Sequence, residues 1–318
     1  MRIWTPALNA VNHFELYFNL RLKAATLDLQ TRHQSTISKS TSVSGFGFWS
    51  GQDVTLEFRP AAENSGIVFV RSDLAGSPRI PAEIQNRVPG PRRTTLVYNG
   101  CAVEMVEHVM AALAGLQIDN CDVHVDRAEM PGMDGSSMAF VDALLNAGRV
   151  SQNAHKPILE VTSPTRVEEG EAWVQADPAT RIETTFTYQL DYPHAPFVGS
   201  QKFTTKLEPE IFVTQIAPAR TFLLKPEAEQ LKNQGLGSRV TYQDVLVFDE
   251  NGPIDNALRF PDECARHKML DMIGDFALSG KDLIGNFFAS KSGHRLNSQT
   301  VFALMQQFNH KHPFRQSA

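Results

Sequence analysis

The sequence predicts an α+β fold made of two similar halves, in each of which strands are followed by helices. Its 318 residues are enough for two domains, at roughly 150 residues per domain. In both halves, hydrophobic residues first alternate with polar ones, as in half-buried strands, and then recur with helical spacing. The polar stretch 151–157 separates the halves, so we expect domains at 35–152 and 153–318.

The composition is that of a globular protein. Hydrophobic residues make up 42% of the chain, and the net charge of −5 does not favour non-specific binding to nucleic acid. No stretch approaches the roughly 18 consecutive apolar residues of a membrane-spanning helix. Cys101, Cys121 and Cys264 form no C-x-x-C pair, which fits a reducing compartment. We therefore expect a cytoplasmic monomer with no nucleic-acid partner and no membrane span.

Residues 1–34 are expected to lie outside the core fold as an N-terminal extension. They do not read as a signal peptide, because Glu15, Arg21 and Lys23 interrupt the apolar residues and no small-residue cleavage site follows. A short helix, a disordered tail and a start codon placed too far upstream are all compatible with this segment.

In the first half, the pattern predicts strands followed by helices. Residues 35–59 read as a hairpin, in which Val54, Leu56 and Phe58 alternate with polar residues after a turn at Ser50-Gly51. Further strands are expected at 66–74, 94–100 and 121–126, and helices at 104–116 and 138–148.

The second half repeats this order. A strand–turn–strand unit is expected at 158–178 and a strongly alternating strand at 181–193. Helices are expected at 225–235 and 261–280, with a further strand at 284–290. The repeated order of elements predicts a duplicated fold, although we find no convincing repeat at the level of single residues.

The clearest chemical signal is His267-x-x-x-Asp271 in the helix predicted at 261–280. Residues four apart point to the same side of a helix, so both side chains could bind one ion. A histidine nitrogen and a carboxylate oxygen suit zinc, or iron in its place. Taken alone, such a pair is more often an ordinary contact on a helix surface.

A third metal ligand could come from Glu107-His108 in the first-half helix. The histidine would bind the metal while the neighbouring glutamate takes a proton from water. The simpler alternative is an exposed glutamate beside a half-buried histidine.

Two further residues are candidates for catalysis. His294 lies in a Ser/Gly-rich segment that reads as a loop, and an imidazole that titrates near neutral pH could act as a general acid. The alternative is an ordinary surface histidine. Thr221 could donate a hydrogen bond to a developing oxyanion, but it could equally cap the helix that begins near Lys225.

The order in which the motifs occur is more specific than any one of them. The chain contains GFGFWSG, VEHVMAALAGLQIDN, EMPGMDGSS, ARTF, RHKMLDMIGD and SGH, in that order. In this combination the sequence resembles the UDP-3-O-acyl-N-acetylglucosamine deacetylases, the zinc enzymes of the committed step of lipid A biosynthesis. The resemblance extends over residues 35–305.

The resemblance implies two α+β domains, each a β-sheet layered with helices, with the helices packed between the sheets and the active site at the domain interface. It implies that His108, His267 and Asp271 bind Zn²⁺, or Fe²⁺ in its place, with one coordination position left open. The substrate would be a small molecule, the acylated UDP-sugar UDP-3-O-(3-hydroxyacyl)-N-acetylglucosamine. Its N-acetyl group would be hydrolysed to acetate and a free amine.

The same resemblance implies roles for five other residues. Glu107 would be the general base, His294 would protonate the leaving amine, and Thr221 would stabilise the oxyanion. Lys268 would support substrate binding or the developing charge, and Asp275 would orient His294.

An insertion in the second domain binds the acyl chain in enzymes of this family. Here the expected pieces are the stretch before Arg166 and the helix predicted at 225–235, with Phe222 near the sugar or the mouth of the acyl passage. Leu224 and Leu231 would contact the chain, or else belong to the ordinary core.

Two alternatives compete with this interpretation. A zinc amidohydrolase for another acylated sugar would use the same residues and differ in its substrate contacts. Trp49 bears on those contacts, because many members of the family have a histidine there. A non-catalytic nucleotide-sugar-binding protein could keep the fold, but it would have no need of Glu107 and His294.

Overall fold

Two mixed β-sheets form the framework of the protein. The computed structural model describes residues 31–311, so most of the extension expected at 1–34 lies outside the described residues. In spatial order, the first sheet consists of β2 (Thr41–Phe46), β3 (Asp53–Pro60), β9 (Cys121–Val125), β4 (Ile67–Arg71) and β5 (Arg79–Pro81). The second consists of β12 (Thr165–Glu169), β13 (Ala172–Asp177), β19 (Asp282–Ser290), β14 (Thr184–Tyr192) and β15 (Gly199–Lys206), with β11 (Ile158–Glu160) also paired to β19.

The two sheets have the same connectivity. In each, the first two neighbouring pairs are antiparallel, the third is parallel and the fourth is antiparallel. The parallel pairs, β4 with β9 and β14 with β19, are joined by long connections that contain a helix, as parallel pairing requires. The expected duplication is therefore confirmed at the level of topology.

The longer helices lie between the sheets. They are α1 (Glu107–Gly115) and α2 (Met138–Ala147) in the first half, and α4 (Glu263–Ala277) and α5 (His294–Lys311) in the second. α1 packs along α4, α2 packs on β2, α4 packs on β14 and β15, and α5 packs on β12 and β13. This is the layer order that the resemblance implied. Among the described residues, no helix has the length and apolar character needed to cross a membrane.

A small three-stranded sheet interrupts each half. The first is formed by β6 (Arg87–Val88), β7 (Thr95–Tyr98) and β8 (Cys101–Glu104). The second is formed by β16 (Phe222–Leu224), β17 (Leu246–Asp249) and β18 (Gly252–Pro253), and α3 (Lys225–Asn233) follows β16 directly. Short helical turns at Ile84–Asn86, Pro209–Ile211 and Phe212–Ile216 precede these insertions. Both insertions contribute residues to the cavity described below.

A two-stranded ribbon lies where the domain boundary was expected. β1 (His33–Ile37) pairs antiparallel with β10 (Arg149–His155). The boundary predicted between residues 152 and 153 therefore falls within β10, and the described residues from His33 onward form one compact unit. The division into two domains remains a prediction.

A glycine allows α1 and α4 to approach each other closely. A Cβ atom on Gly274 would lie 2.0 Å from the backbone oxygen of Glu107, a distance that no side chain could accept. Glycine is the one residue type without a Cβ atom, so it permits this contact. The close approach brings Glu107 and His108 next to the side chains of α4.

Candidate active site

Three buried side chains from two helices form a cluster of possible metal ligands. His108 comes from α1, and His267 and Asp271 come from consecutive turns of α4. The donor atoms of the three residues all lie within 4.8 Å of one another. The structure thus brings together the three residues that were predicted as ligands, at the contact between α1 and α4.

Asp271 lies between the two imidazoles and a lysine. Its Oδ1 is 3.4 Å from Nε2 of His108 and 3.5 Å from Nε2 of His267. Its Oδ2 accepts a hydrogen bond of 2.7 Å from Nζ of Lys268. One carboxylate oxygen therefore faces both imidazoles while the other is held by the ammonium group. Lys268, which was predicted to support the substrate or the developing charge, is bound here to a candidate ligand.

The second ring nitrogen of His267 fixes the orientation of this imidazole. Nδ1 lies 3.2 Å from the carbonyl oxygen of Ala219. A carbonyl can only accept a hydrogen bond, so Nδ1 carries the proton and the lone pair of Nε2 is free to bind a metal. The ring stands nearly perpendicular to that of His108, with 5.2 Å between the centroids.

The protonation states in this cluster suit a divalent cation. Burial lowers the pKa of His267 to about 4, so its imidazole is neutral near pH 7. Burial disfavours charge on Asp271, but Lys268, His267 and His108 together outweigh burial and hold the pKa of Asp271 well below its usual value. Neutral imidazole nitrogens and ionised carboxylates are the ligands that zinc and related ions bind. The residues present therefore fit a metal ion of this kind.

A glutamate and a histidine face each other beside the cluster. Nε2 of His294 lies 3.7 Å from Oε1 of Glu107, and both side chains are buried. The other oxygen of Glu107, Oε2, accepts a hydrogen bond of 2.9 Å from the backbone N–H of Thr94. Oε1 is therefore the oxygen of Glu107 that is directed towards His294.

Asp275 binds the other side of the His294 ring. Its Oδ2 is 2.9 Å from Nδ1 of His294 and accepts a second hydrogen bond, of 2.8 Å, from Nδ2 of Asn297. Its Oδ1 accepts a hydrogen bond of 2.6 Å from the hydroxyl of Thr94. The predicted contact between Asp275 and His294 is thus present. Thr94 and Asn297 were missed, because neither belongs to a recognisable motif.

The two carboxylates keep His294 protonated. Burial opposes a charge on this imidazole, but Asp275 and Glu107 together outweigh burial and raise the pKa to about 9. Burial also raises the pKa of Glu107, although His294 and His108 oppose that shift. A histidine that is charged at neutral pH beside a glutamate of raised pKa is an arrangement suited to moving protons.

His294 does not lie in a loop, as the sequence suggested, but is the first residue of α5. The backbone N–H of Asn297 donates to the carbonyl of Gly293, and the hydroxyl of Ser298 donates to the carbonyl of His294. Serine and glycine favour helix starts as well as loops, which explains the error. The helix fixes the backbone of His294 while Asp275 fixes its ring.

The hydroxyl of Thr221 already has a partner. Its Oγ1 donates a hydrogen bond of 3.0 Å to the carbonyl of Gly135, which also accepts the backbone N–H of Thr221 at 2.8 Å. The hydroxyl would have to turn away from Gly135 to reach an oxyanion. The alternative role as a helix cap is wrong, because α3 begins at Lys225 with Leu224 at the cap position.

One cavity of about 530 Å³ reaches the candidate metal cluster and the pair of Glu107 and His294. Its wall includes His108, His267, Asp271, Glu107, His294, Lys268 and Thr221. Much of the remaining wall is apolar, with Phe48, Trp49, Phe222, Leu223, Leu231 and Val240 among its residues. The cavity therefore combines a polar end, with the candidate metal cluster, and an extended apolar surface.

The predicted hydrophobic contacts are only partly in the cavity wall. Phe222 and Leu231 line it, and the ring of Phe222 lies 6.4 Å from that of His267. Of the described residues in β16, Leu223 rather than Leu224 joins Phe222 in the wall, and Leu224 packs against the core. The wall residues near β12 are Glu169 and Ala172, not the stretch before Arg166 that was expected to contribute.

The fold and the site define a class of protein: a metalloenzyme whose candidate metal centre lies beside an acid–base pair. A sequence profile of the family described as UDP-3-O-acyl N-acetylglycosamine deacetylase matches residues 34–306. The chain belongs to this family.

Curated relatives carry the name UDP-3-O-acyl-N-acetylglucosamine deacetylase. The proteins from Histophilus somni and Haemophilus influenzae are each 39% identical to this chain, and the alignments cover 86% of this chain and 90% of each relative. The protein from Thermosynechococcus vestitus is also 39% identical, over 86% of this chain and 94% of the relative.

Proposed function

We propose that this protein removes the N-acetyl group from UDP-3-O-(3-hydroxyacyl)-N-acetylglucosamine. The products would be acetate and UDP-3-O-acyl-glucosamine, and the reaction is the committed step of lipid A biosynthesis. The observation that carries the proposal is the pair Glu107 and His294, 3.7 Å apart at the wall of the cavity that contains the candidate metal cluster. The name shared by the relatives supports the choice of substrate.

His108, His267 and Asp271 would hold Zn²⁺, with Fe²⁺ as the alternative. When bound, such an ion acts as a Lewis acid that polarises the amide carbonyl and makes water more acidic. The surrounding contacts support a preformed site, because the Ala219 carbonyl orients His267 and Lys268 holds the second oxygen of Asp271.

Glu107 and His294 would move the protons. The Thr94 amide holds one oxygen of Glu107, so the other oxygen can take a proton from the attacking water. An amine is a poor leaving group unless it is protonated, so His294 gives its proton to the nitrogen as the C–N bond breaks. Asp275 keeps the imidazole in place and stabilises its charge.

Thr221 and Lys268 would assist at the carbonyl. Thr221 stabilises the oxyanion once its hydroxyl turns away from Gly135. Lys268 uses one of its three N–H donors on Asp271, and the other two can serve the substrate or the developing charge.

The apolar wall of the cavity would bind the acyl chain. A volume of about 530 Å³ lies within the usual range of small-molecule sites. Phe222, Leu223 and Leu231 offer direct contacts, whereas Leu224 would act through packing behind the wall.

We further propose a monomer that works in the cytoplasm. Both helices that carry the candidate ligands belong to one chain, so no second copy is needed to complete the site. Cys101, Cys121 and Cys264 are all free and buried, which suits a reducing compartment. Light scattering of the purified protein would test the oligomeric state.

The direct test is acetate release from UDP-3-O-(3-hydroxyacyl)-N-acetylglucosamine by the parent and by the matched variants Glu107→Ala and His267→Ala, with metal content measured on all three. The parent should turn over with close to one zinc per chain. Glu107→Ala should keep its zinc and lose most activity, and His267→Ala should lose both.

The same experiment separates the alternatives. A parent that binds zinc but releases no acetate, over several acyl lengths, would point to another acylated sugar or to a protein that only binds nucleotide sugars. A parent with no bound zinc, and none recovered on reconstitution, would contradict the metal site itself.

A further inference from the structure

We propose that Arg220 and Glu263 form a positioning pair that holds the segment 217–221 so that it orients both His267 and Thr221. The role of Thr221 rests on the proposed function, whereas the effect on His267 concerns metal binding alone. Neither Arg220 nor Glu263 is among the described residues that line the cavity, so the pair acts through other groups.

The pair is buried, and its carboxylate holds both the side chain and the backbone of Arg220. Arg220 is 5% exposed and Glu263 is fully buried. Nε of Arg220 donates to Oε1 of Glu263 at 2.8 Å, and Nη2 donates to Oε2 at 3.1 Å. The backbone N–H groups of Arg220 and Arg259 donate to the same carboxylate, at 3.1 and 2.6 Å.

The remaining donors of Arg220 connect it to the chain that precedes α4. Nη1 donates to Oδ1 of Asn256 at 2.9 Å, and Nη2 donates to the carbonyl of Ala257 at 2.7 Å. Asn256 in turn donates to the carbonyl of Tyr242 at 2.6 Å. The guanidinium group therefore fastens the segment 217–221 to α4 and to the connection that enters it.

Ala219 and Thr221, on either side of Arg220, each contribute one group to the site. The carbonyl of Ala219 accepts the hydrogen bond that sets the tautomer of His267. Thr221 is bound to Gly135 through its backbone N–H and its hydroxyl. A change in the backbone at Arg220 would therefore displace both the carbonyl behind His267 and the hydroxyl at the cavity wall.

Glu263 lies one helical turn before His267 in α4. Residues four apart share one side of a helix and are separated by about 6 Å along its axis. The helix that presents His267 thus also holds the segment that orients the His267 ring. The two parallel hydrogen bonds of a guanidinium fix this geometry in a way that a lysine cannot reproduce.

Stability alone does not account for the pair. Taking two charges out of water is unfavourable, and apolar residues of similar volume often stabilise a buried site as well as an ion pair does. Apolar residues could not orient the backbone of the segment 217–221, because they make no hydrogen bonds to it.

Two variants test the pair, and a third serves as the control. Arg220→Met combined with Glu263→Leu replaces it by apolar residues and leaves no unpaired charge, and Arg220→Lys keeps the charge but removes the bidentate contact. Arg166→Met, at the exposed pair with Glu168, is the matched control. The measurements are Zn²⁺ affinity against a competing chelator, the His267 tautomer in metal-free protein from ¹⁵N chemical shifts, thermal unfolding, and kcat and KM at saturating Zn²⁺.

The double variant and Arg220→Lys should both bind Zn²⁺ about 10- to 100-fold more weakly than the parent. This loss is expected when a group that orients a ligand is disturbed. Their His267 should populate both tautomers. At saturating Zn²⁺, kcat should fall at least about 10-fold with KM little changed, because a displaced Thr221 affects the transition state more than binding. Arg166→Met should match the parent in every measurement.

Parent-like Zn²⁺ affinity and a single His267 tautomer in a folded double variant, or in Arg220→Lys, would overturn the proposal. Should the double variant fail to fold, Arg220→Lys decides, because it leaves the charge in place. Neither the Zn²⁺ affinity nor the His267 tautomer depends on catalytic turnover. A parent that binds Zn²⁺ but releases no acetate would therefore contradict the proposed function and leave the positioning pair to be judged on these two readouts.

Discussion

Thr94 joins two carboxylates that have different tasks in the proposed reaction. Its backbone N–H donates to Glu107 and its hydroxyl donates to Asp275. One residue thus fixes the separation between the general base and the group that orients His294. Its partners are 13 and 181 positions away in the chain, and Thr94 belongs to no recognisable motif, so the sequence alone could not reveal this role.

Replacing Thr94 by valine removes the hydroxyl and keeps the backbone donor. We expect kcat to fall by about 10-fold or more, because a small misplacement of Asp275 and His294 is costly in the transition state. The free energy of unfolding should fall by about 1–3 kcal/mol, since Oδ1 of Asp275 is left buried without a donor. Steady-state kinetics and urea denaturation would measure both effects.

The matched control for this change is Thr95→Val, at the next residue of the chain, which is the first residue of β7. Thr95 makes no contact with the carboxylates in the described hydrogen bonds, and valine suits a strand. If both variants turned over as fast as the parent, the Thr94 hydroxyl would have no part in the reaction.

The charge on His294 sets an alkaline limit for the proposed reaction. Its pKa is about 9, so the proton is present at neutral pH and is lost as the pH rises through about 9. We expect kcat to fall over that range with the loss of one proton. Asp275→Asn removes a charge that raises this pKa, so its limit should move towards the ordinary histidine value of about 6.5. If kcat of the parent and kcat of Asp275→Asn fell at the same alkaline pH, the pH profiles would contradict this assignment.

The same pKa shift affects folding. The pKa of His294 is higher in the folded protein than in the unfolded chain, so protonation stabilises the fold. This contribution is complete below a pH of about 6.5 and is lost as the pH rises through about 9.

At the scale of a single element, α4 carries four buried ionisable residues at intervals of four. They are Glu263, His267, Asp271 and Asp275. The sequence predicted the candidate ligand pair, His267 and Asp271, because its spacing depends on helix geometry alone. It could not predict the contact of Glu263 with Arg220 from the residues themselves, because the partner lies in a separate segment whose position depends on tertiary packing.

The contact of α4 with α1 can be tested at Gly274. A methyl group there would clash with the backbone of Glu107, so Gly274→Ala should force the helices apart and lower the free energy of unfolding by about 1–3 kcal/mol. Zn²⁺ affinity should fall as well, because the proposed ligands come from both helices. Chemical denaturation and chelator competition would measure the two effects.

The sign of the change in the free energy of unfolding shows whether the helix contact or helix propensity dominates in Gly274→Ala. Alanine favours a helix over glycine by about 1 kcal/mol, so helix propensity alone predicts a more stable protein. A stabilised variant that binds Zn²⁺ like the parent would show that the two helices do not need this close approach.

At the scale of the whole molecule, the duplicated topology places α1 and α4 in equivalent positions. Each is the helix that precedes the central strand of its sheet, β9 in one half and β19 in the other. Alternation and helical periodicity were enough to predict the halves. The strand order and the two insertions were not predictable in this way, because pairing partners depend on contacts between distant residues.

A metal held by both halves should stabilise the fold as a whole. Free Zn²⁺ at 100 times its Kd should raise the free energy of unfolding by about 2.7 kcal/mol, because the ligands are assembled only in the folded protein. A chelator should reverse the effect. Urea denaturation with and without Zn²⁺ would measure it. Glu107→Ala should keep the response and Asp271→Ala should lose it, so an undiminished response in Asp271→Ala would contradict the ligand assignment.

Because the buried ionisable residues of α4 recur every four positions, their side chains keep their directions only if the number of residues between them is unchanged. One inserted residue would turn everything beyond it by about 100° and shift it by about 1.5 Å. An insertion between His267 and Asp271 would turn Asp271 away from His108. An insertion between Asp271 and Asp275 would separate Asp275 from His294, although every residue of the site would still be present. The connecting loops can change in length, whereas the residue count within α4 has to stay constant.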